Sequence, residues 1–117
     1  MAEGTDDMSQ LPMLSPGDFE GCRLKRPGKA LVFFYARWCP FSRAACEETG
    51  CIRDRGNYVA YSAELGEDDN PLWEDLGIDI VPTLIGYEDG EEVYRRQGRR
   101  MMGLKRADFE SADAAMS

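Results

Sequence analysis

Six consecutive residues, Ala30 to Tyr35, are apolar or aromatic, and Trp38-Cys39-Pro40-Phe41-Ser42 follows close behind. Successive side chains of a strand point to opposite faces. A strand that is apolar at every position therefore needs cover on both faces, as a central strand of a layered α/β sheet has. Pro40 to Thr49 then has a helical pattern closed by Gly50. Cys39 thus falls at the turn from the strand into the helix.

The other elements fit the same plan. Ser15-Pro16-Gly17-Asp18 has the form of a helix start, with Ser15 as N-cap and Asp18 reaching back, and Phe19 and Leu24 are expected to face the core. Pro27-Gly28 ends that segment. Tyr58 to Tyr61 is a short strand, and Asp68-Asp69-Asn70 leads through Pro71 into a short helix that ends at Gly77. Thr83 to Tyr87 and Glu92 to Arg96 flank Glu88-Asp89-Gly90, a hairpin signal. A last helix, about Gly103 to Ala115, carries a stripe of Met102, Phe109, Ala112 and Met116. The order predicts helices on both faces of a mixed sheet. Residues 1–12 are expected to form a flexible acidic tail and residues 13–117 a single domain.

Composition narrows the chemistry. The net charge of −8 argues against nucleic acid or an anionic membrane as the main partner. The absence of histidine removes His general bases, His metal ligands and Cys-His nucleophilic pairs. No apolar run approaches the roughly 18 residues of a membrane span, and Ala2 to Gln10 lacks the pattern of a secretory signal. A cytoplasmic location is the expectation. The four cysteines, Cys22, Cys39, Cys46 and Cys51, have no Cys-X-X-Cys knuckle among them, so free or catalytic thiols are expected over zinc.

The chain resembles the thioredoxin-like superfamily over about residues 14–112. The resemblance rests on Leu31 to Cys39, on Leu76-Gly77-Ile78 followed by Val81-Pro82-Thr83-Leu84, and on the hairpin ending at Gly98. It implies a thioredoxin fold, a central mixed β-sheet with helices on both faces. It also implies that Pro82 is cis and lies against a nucleophilic Cys39. Where thioredoxins carry a resolving cysteine, a buried acid and a lysine paired with that acid, this chain has Ser42, Phe33 and Tyr61. An apolar–aromatic pair is expected in place of the ion pair. The Cys-Pro-Phe-Ser tetrapeptide, a CXXS motif, is similar to Cys-X-X-Ser members of the protein disulfide isomerase group and, more loosely, to monothiol glutaredoxins.

A helix N-terminus presents unpaired N–H groups and partial positive charge, both of which favour a thiolate at Cys39. Ser42, one turn on, is placed to donate its hydroxyl to that thiolate. Attack on a disulfide would leave a mixed disulfide on Cys39 that a serine cannot displace. Cys46 lies roughly 10 Å along the helix, beyond the roughly 7 Å Cα limit for a disulfide, and is expected to fill core. Resolution then falls to an external thiol, glutathione or a second thiol on a client protein, and no bound cofactor is expected. Trp38, Pro40 and Phe41 on one side, Val81 and Pro82 as floor, and Gly98 as far rim form the expected client groove, in which an extended segment adds as a strand.

The basic residues Arg95, Arg96, Arg99, Arg100, Lys105 and Arg106 admit two readings: a carboxylate-binding patch or a solvated face. The leading functional reading is monothiol disulfide exchange on client proteins by a monomer. The alternative is a binding module that holds partners through the same groove without catalysis. Bulky Trp38 and Phe41 count against an iron–sulfur cluster shared with glutathione.

Overall fold

The apolar run becomes the middle of the sheet. The computed structural model describes residues 10–53, 55–66, 69–99 and 102–117. Its strands are β1 (Met13–Leu14), β2 (Phe19–Glu20), β3 (Arg23–Leu24), β4 (Lys29–Tyr35), β5 (Val59–Glu64), β6 (Thr83–Glu88) and β7 (Glu91–Gln97). Five of them form a mixed sheet in the order β1-β5-β4-β6-β7, with β5 parallel to both β1 and β4, and β6 and β7 antiparallel additions. Every residue of β4 after Lys29 is buried.

The faces of β4 sort its side chains. Val32 and Phe34 join Leu72, Leu76 and Ile78 on one side. Leu31, Phe33 and Tyr35 join Ala45, Phe109, Ala112 and Met116 on the other. The helices α1 (Pro40–Cys46), α2 (Leu72–Asp75) and α3 (Arg106–Met116) thus cover both faces, as expected. The β6–β7 turn puts Asp89 and Gly90 at φ of 53° and 92°. Two positive φ values in a two-residue turn match the twist of the flanking strands.

Several expectations are corrected. No α-helix follows Ser15: a 3₁₀ turn, Pro16–Asp18, gives way to the small β2–β3 hairpin. Asp18 does reach back to the Ser15 N–H at 2.8 Å. Gly21, at φ 60°, then reverses the chain, so that Phe19 and Leu24 become cross-strand neighbours facing the core together. The core also begins earlier than residue 13, because Leu11 is 1% exposed and the Pro12 carbonyl accepts the Ser62 N–H. Helix α1 ends at Cys46, and Gly50 lies inside a separate 3₁₀ turn, Thr49–Cys51. Gly103, at φ 66°, cannot be helical and bridges to Arg99, which delays α3 to Arg106. Leu104, rather than the exposed Met102, supplies the buried apolar side chain there.

The expected Phe33–Tyr61 pair does not form. Phe33 faces Ser62 across the parallel ladder and stacks on Tyr35, with ring centroids 5.3 Å apart. Tyr61 packs on the opposite face, under the Arg26 guanidinium. A difference of one residue along a strand moves a side chain to the other side of the sheet. No acid takes up the position in either case: among the described residues the buried carboxylate is Asp108, at the start of α3. Among the described residues, no helix is long and apolar enough to cross a membrane.

Candidate active site

Strand β4 ends at Tyr35, and three residues later the chain turns into α1 with Cys39 as its N-cap and Pro40 as its first helical residue. The turn is held from several directions. The Cys39 N–H donates to the Ala36 carbonyl at 3.1 Å, and the Arg43 N–H closes the first helical turn on the Cys39 carbonyl at 3.0 Å. The Arg37 N–H donates to Glu64 Oε2 at 3.0 Å. Trp38 Nε1 donates to the Gly66 carbonyl at 2.9 Å, which fixes the indole on its edge and leaves the side chain 56% exposed.

The second wall is the segment before β6. The Val81–Pro82 bond is cis, as the resemblance implied. Thr83 Oγ1 donates to the Ile80 carbonyl at 2.7 Å and closes the turn. The Gly98 N–H donates to the Pro82 carbonyl at 2.9 Å, and a Cβ at position 98 would lie 2.5 Å from that oxygen. Glycine at 98 therefore lets β7 approach the proline segment. The Cys39 thiol faces this wall, with Sγ 3.8 Å from the Val81 carbonyl oxygen and the residue 8% exposed.

Between the walls lies a cleft of about 290 Å³, lined by Trp38, Cys39, Phe41 and Val81 together with Trp73, Asp79, Ile80, Arg99 and Gly103. Of the residues expected in the groove, Trp38, Phe41 and Val81 line it beside Cys39. Pro82 and Gly98 are buried behind the lining, and Pro40 is exposed at the helix start. No local pattern marks Trp73, which reaches the cleft from α2 through tertiary packing. Asp79 and Ile80 were findable, because they directly precede Val81-Pro82.

Ser42 is fully buried, and its Oγ accepts the Ala36 N–H at 3.2 Å. That bond ties the first turn of α1 to the end of β4 and does not consume the hydroxyl proton. Cys46 packs on the side of the sheet with Phe109, whereas Cys39 belongs to the cluster on the other side. None of the four cysteines is in a disulfide.

The basic cluster resolves mainly into internal ties. Arg95 donates to the Leu76 and Gly77 carbonyls at the end of α2 and to Glu92. Arg96 pairs with Asp108 at 2.7 Å and Arg106 with Glu48 at 3.0 Å. Burial pushes the Asp108 carboxyl up, but the Lys105 N–H, Arg96 and Arg99 outweigh it and hold the group below the usual carboxylate range. Arg99 is the cluster member that reaches the cleft, and Arg100 lies outside the described residues.

No family model matches the chain. It is 32% identical over 102 residues to chicken (Gallus gallus) protein disulfide-isomerase A3, a match covering 86% of this chain. The chain spans only 19% of that protein's length. Spinach chloroplast thioredoxin f, in its long form, superposes with a TM-score of 0.70 at 16% identity, covering 99% of this chain and 97% of the other. Chlamydomonas reinhardtii thioredoxin f2 superposes with a TM-score of 0.66 at 21% identity, covering 87% and 92%. With its five-stranded mixed sheet, its helices on both faces and its cysteine set against a cis-proline segment, the chain has the thioredoxin fold.

Proposed function

We propose that the protein exchanges thiols and disulfides through one cysteine, Cys39, and relies on a second molecule to complete each cycle. The observation that carries the reading is the placement of Cys39: N-cap of α1, sulfur turned toward the Val81 carbonyl, at the wall of an apolar cleft. The Cys39 thiolate attacks one sulfur of a client disulfide, and the other client sulfur leaves as a thiolate. An external thiolate, glutathione or a second client thiol, then attacks the mixed disulfide and expels Cys39 as its thiolate. Ser42 fills the place of a second sulfur and braces the turn through Ala36. Trp38, Phe41 and Val81 receive the client segment, Pro82 shapes the wall, and Gly98 and Pro40 set its limits. A reducing, cytoplasmic setting suits this chemistry.

The test is turnover of a glutathione mixed-disulfide substrate in the presence of reduced glutathione. The wild type should turn over and Cys39→Ala should fall to the uncatalysed rate. Equal rates would end the enzymatic reading.

A second reading is favoured by the exposed indole of Trp38 and the aromatic lining of the cleft. In it the cleft holds protein partners without chemistry. Capture that persists in Cys39→Ala under reducing agent supports this reading against the first.

A further inference from the structure

Two charged side chains of opposite sign, Arg99 and Asp79, line the otherwise largely apolar cleft beside Cys39. They arrive from different segments. Arg99 follows Gly98 in a tight turn: its N–H donates to the Gly103 carbonyl at 3.1 Å, and its carbonyl accepts the Gly103 N–H at 2.7 Å. A Cβ at position 103 would press on Phe41, so this turn lies against α1. Asp79 comes directly after Ile78, whose N–H donates to the Trp73 carbonyl at 2.9 Å and ties the segment to α2.

Neither side chain is used up inside the chain. Asp79 is exposed, and its carboxylate takes part in no hydrogen bond or ion pair among the described residues. Arg95, which feels the Asp79 charge, already gives its guanidinium to Glu92 and to the Leu76 and Gly77 carbonyls. Arg99 stands 3.8 Å from Asp108 Oδ2, close enough to be held by that charge and too far for a hydrogen bond. Both Asp108 oxygens are taken already, Oδ2 by the Lys105 N–H and Oδ1 by Arg96. The Arg99 guanidinium, with its side chain 51% exposed, therefore keeps its donors at the cleft. Arg99 and Asp79 form no ion pair with each other among the described residues. Arg100, which carries the sign of Arg99, and Glu67 and Asp68, which carry the sign of Asp79, lie outside the described residues.

We propose that the cleft selects clients by charge order: an extended segment whose cysteine sulfur meets Cys39 binds with a carboxylate at Arg99 and a cation at Asp79, and the reversed order is disfavoured. The inference rests on exchange at Cys39. In an extended segment, side chains two residues apart share a face at about 6.6 Å. A cysteine directed at Cys39 therefore has its second neighbours, on either side, directed at the same cleft. A carboxylate accepts paired N–H donors from a guanidinium. The reversed order sets like charge against like, and that repulsion gives the discrimination. Trp38, Phe41, Trp73 and Val81 supply apolar contact that is indifferent to charge order.

The experiment uses two peptides of identical composition, each with one central cysteine held as a mixed disulfide with uncharged 2-mercaptoethanol. One has glutamate two residues before the cysteine and lysine two residues after it; the other has them exchanged. Identical composition cancels the effect of the chain's net charge of −8. The Cys39 thiolate attacks the peptide sulfur and 2-mercaptoethanol leaves as its thiolate. Intact-mass analysis follows the peptide adduct, with Cys39→Ala as the blank. One order should react faster than the other by about threefold or more at low salt, and the gap should shrink as salt screens it. Arg99→Gln and Asp79→Asn should each narrow the gap, and the double variant should close it. Both side chains are exposed, so neither change reaches the core. Equal rates for the two orders in the wild type, or a gap that survives the double variant, would overturn the charge reading and leave exchange at Cys39 standing. A third peptide, with glutamine at both positions, tests exchange itself: no adduct above the blank ends that reading. Charge order is then read from the dissociation constants of the two peptides with serine for cysteine, followed by tryptophan fluorescence, and equal constants overturn it.

Discussion

At the scale of single residues, the site depends on contacts that leave no room for substitution. A methyl group at position 98 would press on the Pro82 carbonyl, which is backbone and cannot swing away. Gly98→Ala should therefore lower stability by about 1–3 kcal/mol, as overpacking does, and slow exchange at Cys39. Thermal unfolding and the mixed-disulfide assay check the two effects. Ser42→Ala should cost about 1–3 kcal/mol by leaving the buried Ala36 N–H without an acceptor, measurable by denaturant unfolding. An unchanged midpoint would mean that the bond does not brace the turn. Cys39 and the proline segment were legible because each is a local pattern. The partner of Phe33 was not, because an alignment slip of one residue exchanges Tyr61 for Ser62 and inverts the face.

At the scale of elements, local turn chemistry was the dependable guide. Asp89-Gly90 announced the β6–β7 hairpin, and Pro71 does stand at the start of α2, with the Asn70 side chain before it accepting the Leu72 N–H at 2.9 Å. The segment after Ser15 misled because a helix-capping pattern also opens a 3₁₀ turn, and Gly21 then redirects the chain. Helix α3 is anchored by one carboxylate: Asp108 accepts the Lys105 N–H at 2.8 Å and pairs with Arg96 at 2.7 Å. Its folded pKa lies below the ordinary value, so the stability it confers is complete above about pH 4 and fades as pH falls through the folded pKa. Asp18 shifts in the same direction, chiefly through the Ser15 N–H. Asp108→Asn should cost about 1–3 kcal/mol at neutral pH and flatten the acid limb of a stability–pH curve. An unaltered acid limb would show that other groups set it.

At the scale of the whole molecule, the layers place a sulfur at one end of the sheet, in an apolar cleft. The layered architecture was legible in the apolar run of β4, which admits no exposed face. The cleft's full lining was not, because Trp73 and Arg99 arrive from α2 and from the loop after β7. Cys39 and Cys46 lie in clusters on opposite sides of the sheet, so self-resolution has no short path within the fold. The most direct test is intact-mass analysis with peptide mapping after incubation with oxidised glutathione. One glutathione adduct, on Cys39, that persists until a thiol is added is the predicted result. An internal disulfide joining Cys39 to Cys22, Cys46 or Cys51 would contradict it.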